Sequence, residues 1–309
     1  MLVGTGEDPL ARAAALEGLG NWNGAVMIVV PTTGRILTIV NQKLAFSQAF
    51  TPCSTFKPIV AFAALKEGLI TGETLLRVGR RSQINLTEAL AHSNNIFFGK
   101  VGEMLVFDRV SEYAHEFGLG EKAGWNIPVE EAGFFPSERP SGPMGLLTSY
   151  GENIGVTMFQ MAAVAGAFAN GGTLYYLQYP RSPEAAAEFQ PKVRRKVEGF
   201  DEVFPHLRQG LAAAVIYGTA RKAYDPAQQV FGKTGTCSED RARLGWFVSY
   251  ADEDKPRTVV VVLLRGGRPT SGPHSAEIAG RVYRDLRLRT QTASRTGASP
   301  PMAAAVPTR

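Results

Sequence analysis

A serine and a lysine stand three residues apart at the start of an apolar run, in the segment FTPCSTFKPIVAFAAL (50–65). Pro58 follows the lysine, and proline is tolerated in the first turn of a helix, so the helix is predicted to begin at or just after Ser54. Ser54 and Lys57 then share one face near the positive end of the helix dipole. This arrangement suits a serine nucleophile with lysine as its base, although an isolated pair is more often a helix cap and a solvated lysine.

Two further segments favour a catalytic role for Ser54 and Lys57 over a structural one. Ser93 and Asn95 precede an apolar run in AHSNNIFF (91–98), and Lys233 begins the sequence KTG within a β-rich segment, FGKTGTC (231–237). Each segment alone has a structural explanation, as a helix cap or as a glycine at a close backbone approach. In the order S-x-x-K, S-x-N and K-T-G, however, the three match the motifs of penicillin-binding proteins and class A β-lactamases.

The elements that must position these residues follow from periodicity and turn signals. Helical spacing predicts a helix at 8–19, and two β-branched runs separated by PTTG predict a hairpin. The middle of the chain, about 71–222, is mostly helical in pattern, and three strands and a helix return near the end, at 228–237, 243–250, 257–265 and 275–287. Strands at both ends around a helical insertion predict an α/β (α+β) fold, with a mainly antiparallel five-stranded sheet and a second, mainly α-helical lobe.

This pattern gives approximate boundaries for the lobes. The sheet lobe is predicted from about 20–55 and 225–288, and the helical lobe from about 70–222, so that 1–288 form one domain. Residues 289–309 are rich in Ala, Pro, Ser, Thr and Arg without an apolar period, which predicts a disordered basic tail.

Charge gives no sign of a nucleic-acid surface. The formal net charge is +5, but six arginines and one aspartate at 281–309 account for all of it, so the body of the chain is neutral overall. No signal peptide opens the sequence, and no apolar stretch reaches the roughly 18 residues that a spanning helix needs. The four histidines are dispersed without a metal-ligand spacing, so we expect neither a metal nor a cofactor.

From Asn23 to Leu286 the chain resembles the transpeptidase domain of penicillin-binding proteins. The resemblance includes the three motifs, the opening hairpin, the segment YGENIGVTMFQMAAVAGAFANGG (150–172) and the closing strands GWFVSY and RTVVVVLLRGG. It implies a serine acyltransferase with its active site between the sheet and a helical lobe. The sequence departs from the family at Cys53, where many relatives have glycine, and in the short segment between the first and second motifs.

The resemblance also implies a role for each motif residue. Ser54 is the expected nucleophile and Lys57 its base, because burial or a nearby cation such as Lys233 favours a neutral amine. Ser93 is expected to bridge the two lysines and pass a proton to the leaving nitrogen, while Asn95 holds the substrate amide.

The KTG strand is expected to bind the substrate's end. Thr234, Gly235 and Thr236 form the expected binding strand, with the two threonines holding the terminal carboxylate of a D-Ala-D-Ala stem or a β-lactam. Backbone N–H groups of Ser54 and Thr236 are the expected oxyanion hole.

Three functions remain open at this point. The favoured one is a D,D-transpeptidase acting on peptidoglycan stem peptides outside the cytoplasmic membrane, with a carboxypeptidase close to it because the acyl acceptor is not evident. A β-lactamase would need a deacylating Glu and Asn, and no Asn follows Glu130 and Glu131 at the spacing of class A enzymes. A non-catalytic β-lactam sensor or scaffold is the third. Relatives carry an N-terminal membrane anchor or a glycosyltransferase domain, and we expect such a segment to be missing from this sequence.

The two cysteines are expected to form a disulfide. Cys53 precedes the serine and Cys237 lies four residues after Lys233, so in the family's fold both flank one cleft. Certain class A carbapenemases have a disulfide at the same offsets. A bond here requires Cα atoms about 4.4 to 6.8 Å apart and implies folding in an oxidising compartment. The alternative is two buried free thiols.

Overall fold

Strands from both ends of the chain build one five-stranded sheet in the computed structural model, which describes residues 6–46, 48–251 and 258–295. Its members are β1 (Gly24–Val30), β2 (Arg35–Val40), β7 (Val230–Glu239), β8 (Ala242–Ala251) and β9 (Thr258–Gly266). Their order is β2-β1-β9-β8-β7, and every neighbouring pair is antiparallel. The predicted fold class is therefore confirmed.

Helices cover both faces of this sheet. The helices are α1 (Pro9–Leu19), α2 (Gln42–Phe46), α3 (Lys57–Lys66), α4 (Leu86–Ala91), α5 (Asn95–Glu116), α6 (Met144–Tyr150), α7 (Met158–Asn170), α8 (Pro183–Ala187), α9 (Phe200–Ile216) and α10 (Gly272–Arg295). Met27 and Val29 of β1 join a core with α3 and α7, while Val26 and Ile28 join another with α1 and α10. Because both faces are buried, β1 and β9 are continuous apolar runs rather than alternating ones.

Helices α4 to α9 are the main regular elements in the middle of the chain, which also contains two small hairpins. These pair β3 (Leu76–Arg77) with β4 (Gln83–Ile84), and β5 (Thr173–Tyr175) with β6 (Val193–Lys196). No helix in the described ranges is long and apolar enough to cross a membrane. Nor do those ranges bring three or more His, Cys, Asp or Glu side chains together in a way that could hold a metal ion.

Helix α10 continues to Arg295, so the chain is still helical where the sequence predicts a disordered tail from 289. Arg289 explains part of this difference, since its guanidinium contacts Asp285 at 2.6 Å and Glu17 of α1 at 2.7 Å. The polar composition that predicts disorder here forms one solvated face of an amphipathic helix. The remainder of the predicted tail, 296–309, lies outside the described residues.

Candidate active site

The serine of the first motif lies in a tight turn that leads into a buried helix. Residues Cys53–Phe56 form a 3-10 turn, and α3 begins at Lys57 with Pro58 in its first turn, as Pro58 predicts. Cys53 has φ +52°, a left-handed conformation that favours glycine. A glycine, as in many of the proteins that the sequence resembles, would adopt this conformation without strain. Cys53 is held in it by its surroundings.

The amine of Lys57 is the centre of the site. Its side chain is fully buried, and Nζ lies 3.0 Å from Ser54 Oγ and 3.2 Å from Ser93 Oγ. Nζ also donates to the Ser93 carbonyl oxygen at 2.8 Å and to Asn95 Oδ1 at 2.6 Å. The structure therefore brings the first two motifs into direct contact around one nitrogen.

Burial changes the protonation of both lysines in the site. Desolvation, reinforced by the positive charge of Lys233, lowers the pKa of Lys57 to about 6. Desolvation likewise lowers the pKa of Lys233 to about 7. Near neutral pH, Lys57 is therefore mostly a neutral amine with a lone pair, which is the form that can accept a proton.

The second motif is held in place by the junction of α4 and α5. Asn94 caps α5, with its side chain accepting from Phe97 N at 2.9 Å, so a cap does exist here but belongs to the residue between the motif positions. Ser93 has φ +55°, and this left-handed turn places both its carbonyl and its hydroxyl near Lys57.

The third motif lies on β7, one of the two edge strands of the five-stranded sheet. Lys233 and Thr234 are buried, and Thr236 is exposed. Thr236 Oγ1 accepts a hydrogen bond from Gly272 N, 2.8 Å away at the start of α10. Lys233 Nζ donates to the Thr234 carbonyl oxygen at 3.0 Å.

The expected bridge through Ser93 is present on one side. Ser93 Oγ reaches Lys57, but within the described residues no hydrogen bond joins it to Lys233, whose ammonium instead uses the adjacent backbone carbonyl. A fully buried amine requires a hydrogen-bond acceptor, and the Thr234 carbonyl supplies it.

Several bonds fasten the turn at Cys53–Phe56, here called the nucleophile turn after the expected role of Ser54, and the residues before it to the sheet. Trp246 Nε1 of β8 donates to the Thr51 carbonyl at 3.0 Å, and Glu239 of β7 accepts from Thr51 N at 2.9 Å and Thr51 Oγ1 at 2.6 Å. The predicted disulfide between Cys53 and Cys237 is confirmed, with a Cα–Cα distance of 5.7 Å. The turn and β7 are therefore held at a fixed separation.

Gly235 is a second point at which β7 lies close to the turn. A Cβ atom at this position would lie 2.9 Å from the Pro52 carbonyl oxygen and 3.2 Å from the Cys53 Cβ. The glycine of the KTG sequence is needed because a side chain would push the strand away from the turn.

Two contributors to the site were not predicted from the sequence. Ser149, in α6, donates its hydroxyl to the Asn95 carbonyl at 2.8 Å, and its own carbonyl lies 3.4 Å from Ser54 Oγ. Thr219, after α9, has its hydroxyl oxygen 2.6 Å from that of Thr234. Neither residue lies in a recognisable motif, and each is distant in sequence from the residue it contacts.

One known protein family matches most of this chain. Residues 24–284 match the family model described as the penicillin binding protein transpeptidase domain. This chain belongs to that family. The match covers the five strands of the main sheet and all three motifs.

Individual relatives have low sequence identity to this chain but align with most of its length. Stage V sporulation protein D of Bacillus subtilis is 28% identical over 282 residues, which cover 80% of this chain and 44% of that protein. Peptidoglycan D,D-transpeptidase MrdA of Acinetobacter baumannii is 23% identical over 351 residues, covering 88% of this chain and 52% of that protein. The chain spans about half the length of the curated relatives it matches.

Solved structures support the fold. Penicillin-binding protein A of M. tuberculosis, in a ceftriaxone acyl-enzyme complex, matches with a TM-score of 0.80 at 21% identity, over 92% of this chain and 79% of that one. The transpeptidase domain of penicillin-binding protein 3 from Burkholderia pseudomallei matches with a TM-score of 0.75 at 22% identity, over 95% of this chain and 94% of that one.

Proposed function

We propose that this chain is a serine D,D-transpeptidase domain that forms an acyl-enzyme at Ser54 with peptidoglycan stem peptides, or with β-lactams in their place. The observation that carries the proposal is the arrangement around Lys57 Nζ. Two of its four neighbours, the Ser93 carbonyl and Asn95 Oδ1, can only accept hydrogen bonds. A neutral amine has two N–H groups to give them, and its lone pair then remains for the O–H of Ser54, 3.0 Å away.

The acylation step follows from this geometry. Ser54 Oγ attacks the carbonyl carbon of the substrate amide or lactam while its proton passes to Lys57. The new bond is an ester, and the bond that breaks is C–N. The leaving nitrogen needs a proton, and Ser93, whose hydroxyl lies 3.2 Å from the newly charged amine, can supply it and recover one from Lys57.

The substrate is proposed to lie between the nucleophile turn and β7. Backbone N–H groups of Ser54 and Thr236 would stabilise the oxyanion, an interaction worth about 3 to 4 kcal/mol per donor in comparable hydrolases. Asn95 would use Nδ2 for the substrate carbonyl, because Oδ1 is already bonded to Lys57. Thr234 and Thr236 would hold the terminal carboxylate, with Lys233 providing positive charge nearby.

The chain is proposed to act as a single domain outside the cytoplasmic membrane, in the periplasm or on the membrane's outer face. The disulfide supports this location, because such bonds persist in oxidising compartments. The sheet lobe and helical lobe are proposed to meet at the cleft that contains Lys57.

A β-lactamase is the second candidate, and the position of Glu130 disfavours it. Its buried carboxylate accepts from the backbone N–H groups of Ala123 and Gly124, each at 2.8 Å. In the described residues no hydrogen bond connects it to Ser54 or Lys57. An acyl-enzyme formed at Ser54 would then lack an obvious deacylating base and persist, which is also the behaviour expected of a sensor.

Incubation with a labelled penicillin, followed by intact mass over hours, tests the proposal. We expect one adduct on Ser54, slow release, and no adduct on Ser54→Ala, while Ser82→Ala, which alters an exposed serine outside the three motifs, is labelled normally. Rapid release of hydrolysed drug would assign a β-lactamase instead. Labelling of Ser54→Ala would refute the choice of nucleophile. Exchange of the acyl group onto an added amine would separate a transpeptidase from a carboxypeptidase or a sensor.

A further inference from the structure

Thr219 belongs to none of the three motifs, but its hydrogen bonds connect the segment of the second motif to the strand of the third. It lies just after the end of α9, with its hydroxyl oxygen 2.6 Å from Thr234 Oγ1 on β7. Its backbone N–H donates to the Ala91 carbonyl at 3.0 Å. Ala91 ends α4, two residues before Ser93. The Thr219 residue therefore links the turn that carries Ser93 to the strand that carries Thr234.

The backbone around Thr219 has little room to move. A Cβ atom at Gly218 would lie 2.2 Å from the Ala91 carbonyl oxygen and 2.8 Å from the Ala214 Cα. Ala220 N also donates to the Ala214 carbonyl at 2.8 Å. With both flanking residues fixed in this way, the Thr219 hydroxyl is held at one position relative to Thr234.

The direction of the hydrogen bond between the two hydroxyls decides what Thr234 can bind. Each hydroxyl has one hydrogen, so only one of the pair donates to the other. A carboxylate can only accept. If Thr234 donates to Thr219, its lone pairs face the ligand and repel a carboxylate; if Thr219 donates, the O–H of Thr234 is free for the ligand.

We propose that Thr219 is a positioning residue for recognition of the substrate's carboxylate. It donates to Thr234, so that the buried Thr234 hydroxyl keeps a partner and turns its own hydrogen towards the carboxylate. A chain of two hydroxyls ending on an anion is polarised in one direction, which strengthens both bonds. The inference rests on the proposed function, since it takes Thr234 as a carboxylate-binding residue.

A matched pair of ligands isolates this role. Benzylpenicillin carries the carboxylate, and its methyl ester does not. Acylation of wild type, Thr219→Val and Thr219→Ser is followed by intact mass at several ligand concentrations, which separates pre-acylation affinity from the acylation rate. Valine preserves the shape of threonine but lacks the hydroxyl, and serine retains the hydroxyl.

We expect Thr219→Val to slow acylation by benzylpenicillin roughly 3- to 10-fold, the range of one neutral hydrogen bond, and mainly through affinity. The ester should change less than about twofold, so the ratio of acid to ester falls, and Thr219→Ser should restore it. Equal losses for acid and ester would show that Thr219 is merely structural and would overturn the proposal.

The outcomes also separate this inference from the proposed function. If wild type is not acylated at all, the proposed function fails. If wild type is acylated and Thr219→Val keeps the wild-type ratio of acid to ester, the positioning role fails and the function stands. Thermal unfolding of each variant checks folding, and Thr219→Ala compared with Thr219→Ser gives the same contrast should the valine variant unfold.

Discussion

Acylation at Ser54 should depend on pH in a way that reports the burial of Lys57. The pKa of this amine is lowered from 10.5 to about 6, first by desolvation and then by the charge of Lys233. At pH 7 an amine with that pKa is about nine-tenths neutral, whereas at pH 5 it is about one-tenth neutral. If the neutral amine takes the serine proton, the acylation rate should fall about tenfold between pH 7 and pH 5.

The comparison with an ordinary lysine shows how much burial contributes. A lysine with an unperturbed pKa is neutral in only about 3 molecules in 10,000 at pH 7. Burial in this site therefore raises the neutral fraction by about three orders of magnitude. A surface lysine next to Ser54 could not serve as an efficient base at the same pH.

The assay is the second-order rate of labelling by a fluorescent penicillin, measured from pH 5 to pH 9 with folding checked at each pH. Lys57→Arg should be almost unlabelled, because arginine keeps its proton, while the exposed Lys100→Ala should reproduce the wild-type profile. In Lys233→Met the rate should be low but the midpoint should move to higher pH, because the neighbouring positive charge is gone. A profile that is flat between pH 5 and pH 7 would refute the role of Lys57, as would a midpoint in Lys233→Met that stays in place or moves down.

Three further predictions concern stability and the approach of the turn to the sheet. Between about pH 6 and pH 10 the folded state holds Lys57 neutral while the unfolded chain still binds the proton. The unfolding free energy of wild type should therefore rise relative to that of Lys57→Met, by up to about 1.4 kcal/mol per pH unit. Urea midpoints of both proteins at pH 6 and pH 9 check this, and a difference between the two proteins that does not change with pH contradicts it. Replacing both Cys53 and Cys237 by serine opens a loop with a sequence separation of 184 residues, so the unfolding free energy should drop by up to about 5 kcal/mol; denaturant midpoints that match those of the oxidised wild type would contradict this. Gly235→Ala should cost about 1 to 3 kcal/mol of unfolding free energy and slow labelling, since its Cβ would lie 2.9 Å from the Pro52 carbonyl, and unchanged labelling would show that the strand can move aside.

The sequence was sufficient to predict the sheet and to single out the candidate site residues, because both inferences depend on local signals. Continuous β-branched runs and turn residues predicted the strands, including β7 and β8, within a few residues. Pro58 predicted where α3 begins, since its missing N–H restricts it to a first turn. The disulfide was predictable once the family's fold was assumed, because the offsets of Cys53 and Cys237 from the motifs placed them on one cleft.

The helix over 289–295 was not predicted, because its contacts are not local in sequence. Composition at 289–295 resembled disorder, but Arg289 pairs with acids on α10 and on α1, and an ion pair between distant segments has no signature in composition. The capping interpretation of the second motif was also partly right, because a cap exists at Asn94 and leaves Ser93 free for Lys57.

The sequence by itself therefore determined which residues are candidates for the chemistry, since their types and order are given by three short segments. Tertiary structure alone decided the protonation of Lys57, because desolvation depends on what surrounds a group and not on its neighbours in the chain. It also decided that Lys233 bonds to a backbone carbonyl rather than to Ser93, and that Thr219 reaches Thr234. The contact between Thr219 and Thr234 joins side chains from separate segments at 2.6 Å, and a hydrogen bond of that length exists only once the fold has fixed both partners.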